Sequence, residues 1–208
     1  MRALKLAPTI STPELRDVPQ TQDVLDMLER RKSANIVEGY KISGRTDPND
    51  LFSFFSEINI DNEKLWSLVK ALIIDFPEEV ALIYQYIDDE EPKYGEYVDK
   101  FSLINYLENY EKEVVQDGFL HFGIINNTET ELQEVFVHRT KYIQYWGIDE
   151  VKFEETMKGF ELYRKENLNF IDEYPVQTKV LSVINPEVTN TQDLLDLFES
   201  RYGNEQLL

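Results

Sequence analysis

His121 and His138 are the only two imidazoles in the chain, and no cysteine accompanies them. Without a thiol there is no disulfide framework, no thiolate zinc site and no cysteine nucleophile. Alternation places His121 on the Phe119 and Ile125 side of a strand and His138 at a strand end. The pair meets only if strand register allows it, and no third ligand is marked by spacing. His121 therefore reads as a satisfied, partly buried histidine and His138 as a solvated one.

Other catalytic spacings are missing. There is no G-x-S-x-G, no serine tied by spacing to a histidine, and no glycine-rich phosphate loop of either common type. Forty Asp and Glu side chains guarantee that some carboxylates lie close together, so a carboxylate-dependent hydrolase stands as an alternative that no motif marks. The run Asp88, Asp89, Glu90, Glu91 has neither the spacing nor the glycine of a calcium loop and reads as a solvated turn. No catalytic residue, metal ligand or cofactor is assigned.

Charge narrows the partners. Forty acidic against twenty-one basic side chains leave a formal charge of −19. That balance argues against nucleic acid, whose phosphates need a basic footprint, and against anionic membrane surfaces. It suits a basic protein partner. The apolar run at the start, MRALKLAPTIST, breaks at Pro8 and is too short for a signal-peptide core. No stretch reaches the roughly eighteen apolar residues that span a bilayer, so a cytoplasmic protein is expected.

The elements that would position a binding surface centre on Gly118 to Gly147, which punctuates like three consecutive antiparallel strands. Phe119, Leu120, Phe122, Ile124 and Ile125 make the first, Leu132 to Val137 the second and Lys141 to Trp146 the third. One face is aliphatic. The other carries Phe136, Tyr142 and Trp146, the residue types that concentrate at interface hot spots. Exposure below about a tenth would remove a residue from that role.

Around this stretch the pattern predicts helices. Asp47-Pro48 opens one with Leu51, Phe52, Phe54, Phe55 and Ile58 on a stripe, and a second follows Asp61 or Asn62, carrying Leu65, Leu68, Val69, Leu72, Ile73 and Phe76. Val80 to Ile87 predicts a further strand. Helices are expected over 98–116 and from Asp149 to Lys165. The fold class is α+β, an antiparallel sheet of about four strands packed with helices, with extended N- and C-terminal arms. The units are an arm with a short helix at 1–46, a core at 47–166 and a C-terminal extension with a short helix at 167–208.

The two arms share words. Thr21 to Arg31 and Thr191 to Arg201 agree at seven of eleven positions. Two copies are too few for a solenoid. Either two short helices share capping chemistry, or each is a linear motif docking by its Leu, Met and Phe face on a partner or another copy of the chain.

At Asp117-Gly-Phe-Leu-His-Phe-Gly123, Glu134-Val-Phe-Val137 and Lys141-Tyr-Ile-Gln-Tyr-Trp-Gly147 followed by a helix, the chain resembles small bacterial α+β immunity proteins, including members of the SUKH superfamily, over about residues 47 to 166. It lacks the Asn-Gly-Gly turn that this superfamily carries ahead of the strands. The resemblance implies a non-enzymatic inhibitor that neutralises a toxin; the charge independently suits a basic one. The expected function is an acidic protein-binding module with Phe136, Tyr142 and Trp146 as anchors and Asp88, Asp89, Glu90 and Glu91 as steering charges. The alternatives are an assembly protein using the repeated terminal helices, which would self-associate through them, and the hydrolase.

Overall fold

The computed structural model describes residues 2–203; Met1 and 204–208, the outer ends of the two expected arms, lie outside the described residues. In chain order the elements begin with β1 (Ile10–Ser11), α1 (Gln22–Arg31), β2 (Gly39–Gly44), β3 (Phe54–Asn59), α2 (Leu65–Ile73), β4 (Glu79–Tyr86) and β5 (Lys93–Asp99). They continue with α3 (Lys100–Leu107), α4 (Glu111–Gln116), β6 (Leu120–Asn127), β7 (Leu132–Val137) and β8 (Ile143–Gly147). Last come α5 (Glu150–Gly159), β9 (Gln177–Thr178), α6 (Leu181–Ile184) and α7 (Thr191–Tyr202).

The class is α+β, but the sheet is not one of about four strands. Seven antiparallel strands form it in the order β2-β3-β8-β7-β6-β4-β5, and β1 pairs with β9 in a separate two-stranded sheet. Three strands account for the difference. The stretch expected to be a helix from Asp47 contains β3, because Phe54, Ser56 and Ile58 alternate inward while Phe55 and Glu57 face outward; period two wins over a stripe that both periods fit. Asp47 still accepts a backbone hydrogen bond, from Asn49, but in the β2–β3 loop rather than at a helix start. Strand β2 lies in what was expected to be the N-terminal arm, and β5 is an edge strand with Tyr94 and Tyr97 exposed, so its alternation is weakly apolar.

The expected arms are likewise part of the packed structure. Leu194, Leu195, Phe198 and Tyr202 of α7 are buried, and Phe198 packs edge-on against Tyr84 of β4 with ring centroids 5.9 Å apart. The matching helix α1 buries no residue fully. Near-identical words thus occupy unlike environments.

One face of the sheet is covered by α2, α3, α4, α5 and α7, which share its main core with Phe54, Ile58, Leu82, Phe122, Val135 and Ile143. The C-terminal carbonyls of α4 are satisfied from three distant segments. Lys141 Nζ donates to Val114 O at 3.1 Å, Asn62 Nδ2 donates to Val115 O at 2.5 Å, and Thr9 Oγ1 donates to Gln116 O. Lys141 also holds φ of 66° in the five-residue β7–β8 loop, where a left-handed residue completes the turn. Its buried amine donates a second bond, to Leu120 O at 2.9 Å.

Candidate functional site

Among the described residues no helix layer covers the opposite face of the sheet, and register arranges its outward side chains in transverse rows. In the first, Ser43 pairs with Phe55, Phe55 with Trp146, Trp146 with Glu134, Glu134 with Ile125, and Ile125 with Ala81, which faces Tyr97. The second row runs Lys41, Glu57, Gln144, Phe136, Gly123, Ile83, Tyr94. Gly123 has a direct reason to lack a side chain: a Cβ there would lie 2.8 Å from Val135 O and 3.0 Å from the Phe136 ring. Phe136 leans into the space this leaves.

A third row is closed. Tyr142 and His138, then His121, continue the face, but residues 167–178 and the N-terminal segment lie over this end. Tyr142 packs against Phe170 in a tilted contact, with centroids 4.8 Å apart, in a cluster with Val37 and Leu168. Asn59 Nδ2 donates to Asn169 O, and Asn35 N donates to Asn169 Oδ1, fastening the cover down.

The aromatic anchors expected from sequence therefore separate. Phe136 and Trp146 share the open face and are partly exposed, with Phe55 beside Trp146 at a centroid distance of 4.8 Å. Tyr142 is 7 % exposed and serves as a packing residue under Phe170, so it presents nothing to a partner. Asp88, Asp89, Glu90 and Glu91 are exposed in the β4–β5 turn, at one corner of the sheet. Asp89 there accepts a hydrogen bond from Tyr86 N at 3.1 Å, so it shapes the turn as well.

The face holds further residues that the sequence reading did not single out. Tyr94 and Tyr97 are 45 % and 46 % exposed, and a depression of about 380 Å³ opens between them, Ala81, Ile125 and Asn127. The signal was present in the alternation of KYGEYVD and FFSEIN, but the first reads as polar and the second as helical. Glu134 was visible only as a polar neighbour of Phe136.

Electrostatics set Glu134 apart. Burial without any compensating charge or hydrogen bond pushes its carboxyl up to about 7. Other carboxylates with little exposure have partners. Asp61 accepts from Lys5 N and pairs with Arg2, Glu113 accepts from Thr189 N, and Asp117 accepts from Phe119 N and Thr191 Oγ1. Glu57, raised by burial, is offset by Lys41 and by a hydrogen bond from Gln144.

The histidines do meet, with ring centroids 4.7 Å apart. Neither is solvated as an open strand end would be. Burial lowers His121 to about 3 and His138 to about 4, helped by nearby cationic groups. His138 Nδ1 lies 2.9 Å from Thr140 Oγ1, and His121 Nδ1 is buried without a partner among the described residues. The two rings form a packing contact, with Asp172 Oδ2 3.7 Å from His138 Nδ1. Among the described residues no group of three or more His, Asp or Glu side chains is placed to hold a metal ion, and no helix is long and apolar enough to cross a membrane.

Compared with protein-family models, curated proteins and solved structures, the chain matches none. What the site can do is therefore argued from its own geometry. Rows one and two offer a surface of partly exposed Phe55, Trp146, Phe136, Tyr94 and Tyr97 beside buried Ala81, Ile83 and Ile125, with Glu134 unpaired among the described residues.

Proposed function

We propose that the protein is a non-enzymatic binding module that captures a basic protein on the open face of its seven-stranded sheet. The observation that carries this reading is the pairing of partly exposed Phe55, Phe136 and Trp146 with Glu134, which among the described residues has no partner, on a face that no described helix covers. Aromatic side chains supply residence time once desolvated, and the surrounding negative charge speeds encounter with a cationic surface. Asp88, Asp89, Glu90 and Glu91 at the sheet corner act as steering charges in this scheme. The finer form of the proposal is an immunity protein that neutralises a basic bacterial toxin, resting on the strand and helix motifs it resembles.

The test is capture from the native host with the full chain and with a Phe136→Asp/Trp146→Asp double variant, at low and moderate salt. One stoichiometric basic protein held by the wild type and lost by the double variant supports the reading. Equal capture by both moves the interface off this face. Charge reversal of Asp88, Glu90 and Glu91, sparing the turn-forming Asp89, should slow association at low salt and leave dissociation nearly unchanged; an unaltered association rate removes the steering role.

A further inference from the structure

We infer that Glu134 is the specificity residue of this face and that it seats an arginine side chain of the partner between Trp146 and Phe136. The inference rests on the binding reading above and names what the face selects.

The geometry begins with the row structure. Glu134 faces Trp146 on β8 and Ile125 on β6, while Phe136 stands two residues along the same strand. Directly opposed side chains on neighbouring strands stand about 5 Å apart at Cβ, so the carboxylate rises between an indole and an aliphatic wall. Phe55 backs the indole. On the other side, the depression between Ala81, Ile125, Tyr94 and Tyr97 gives a bound side chain somewhere to lie.

A carboxylate in such a setting loses hydration, and here nothing replaces it. The shift of Glu134 has burial as its sole cause, and among the described residues it makes no side-chain hydrogen bond or ion pair. The cation of the second row, Lys41, is already opposed by Glu57. A carboxylate in such a setting either takes up a proton or meets a cation from outside, and the inference assigns it the second.

The chemistry required of that partner is specific. It must be cationic to compensate Glu134, flat to lie against indole and phenyl rings, and able to donate two parallel hydrogen bonds to a carboxylate. Guanidinium meets all three, whereas a lysine ammonium is compact, more strongly hydrated and donates as a point. Net charge alone cannot supply this selectivity: Glu96 also lies beside aromatic rings, Tyr94 and Tyr97, but it is exposed and keeps its hydration, whereas Glu134 is partly buried between Trp146 and Ile125.

The experiment uses the full chain and two short probes, a tetra-arginine peptide and the matching tetra-citrulline peptide, which keeps the planar shape without charge. Binding is followed by NMR at about pH 8, where Glu134 is ionised, through the Trp146 indole N–H and the backbone amides of β7 and β8. The arginine peptide should shift these signals and citrulline should not. Glu134→Gln should weaken the arginine peptide at least about tenfold, while Glu131→Gln, the same charge change on an exposed turn residue, should weaken it less than about twofold. Equal losses in the two variants, or equal binding of citrulline, would overturn the inference. Shifts on β7 and β8 that ignore Glu134 would do so while leaving the face as the binding surface; loss of the face itself is read separately, from capture by the Phe136/Trp146 double variant.

Discussion

Glu134 should make its presence felt in folding as well as in binding. Its carboxyl is pushed up to about 7 in the folded protein against 4.5 when free of the fold. Because the folded pKa is the higher, the folded chain holds a proton that the unfolded chain has released between these two values, and stability falls as pH rises through that window. At about 1.4 kcal/mol per unit, the charged side chain costs roughly 3 kcal/mol above pH 7, an upper bound because solvent still reaches one side of the group. Glu134→Gln removes the charge and keeps the shape. It should change stability little near pH 4.5 and raise it by up to about 3 kcal/mol at pH 8, which for a chain of this size is an increase in Tm of about 6 to 12 °C. Urea denaturation at the two pH values, with calorimetry alongside, measures this. A gain that is the same at both, or none at pH 8, would refute the premise that the carboxylate is desolvated and unpaired.

Three further outcomes follow from the same contacts. His121 and His138 are held neutral, with folded values of about 3 and 4 against 6.5; the unfolded chain takes up protons first, so their contribution to stability is lost as pH falls from 6.5 toward 4, and His121→Phe should shallow that acid limb in a denaturation series. An unchanged slope would mean that the imidazole is already solvated. Lys141→Gly should relieve the left-handed backbone by about 1 kcal/mol yet leave Val114 O and Leu120 O without their donor at about 1 to 3 kcal/mol each, so a net loss is expected; a net gain would show that the buried amine is dispensable. Removing residues 186–208 exposes the core that Leu194, Leu195, Phe198 and Tyr202 cover, about 6 to 10 kcal/mol of burial and of the order of the whole stability of a domain. A truncated chain that retains a cooperative thermal transition would contradict this placement of α7.

Much of the central sheet was legible because its strands carry their environment in their period. Leu132 to Val137 alternates cleanly, and its inner and outer residues lie on the faces the pattern implies. Asp149 was readable as the cap of α5, and its side chain accepts from Lys152 N at 3.1 Å. The edge strands were not readable, for a physical reason: β5 has one flank and one face in water, so Lys93, Tyr94, Glu96 and Tyr97 carry little apolar contrast. Strand β3 failed differently. Phe52, Phe54 and Ile58 satisfy a helical stripe as well as alternation, Phe55 fits only the stripe, and pairing with β2 and β8 decides for the strand. The site suffered from the same non-locality, since Phe55 joins Trp146 and Glu134 only through register across the sheet.

The terminal segments bear on function in a way their composition did not suggest. Residues 167–178 and the N-terminal stretch through Val37 cover Tyr142 and the histidine pair but stop short of Phe136, Trp146 and Phe55. The rings run without a gap from one zone to the other: Phe170 against Tyr142, Tyr142 against His138, His138 against His121, and His121 against Phe136 at 5.7 Å. The chain thus supplies its own occupant for one end of the sheet face, an aromatic ring laid on an aromatic row, with Lys41 Nζ 5.3 Å above that ring. An arginine seated on Trp146 and Phe136 would extend the same packing over the remaining rows. The covered end is packed by an aromatic ring with a cation near it, and the arginine proposed above would place the same kind of group on the open end.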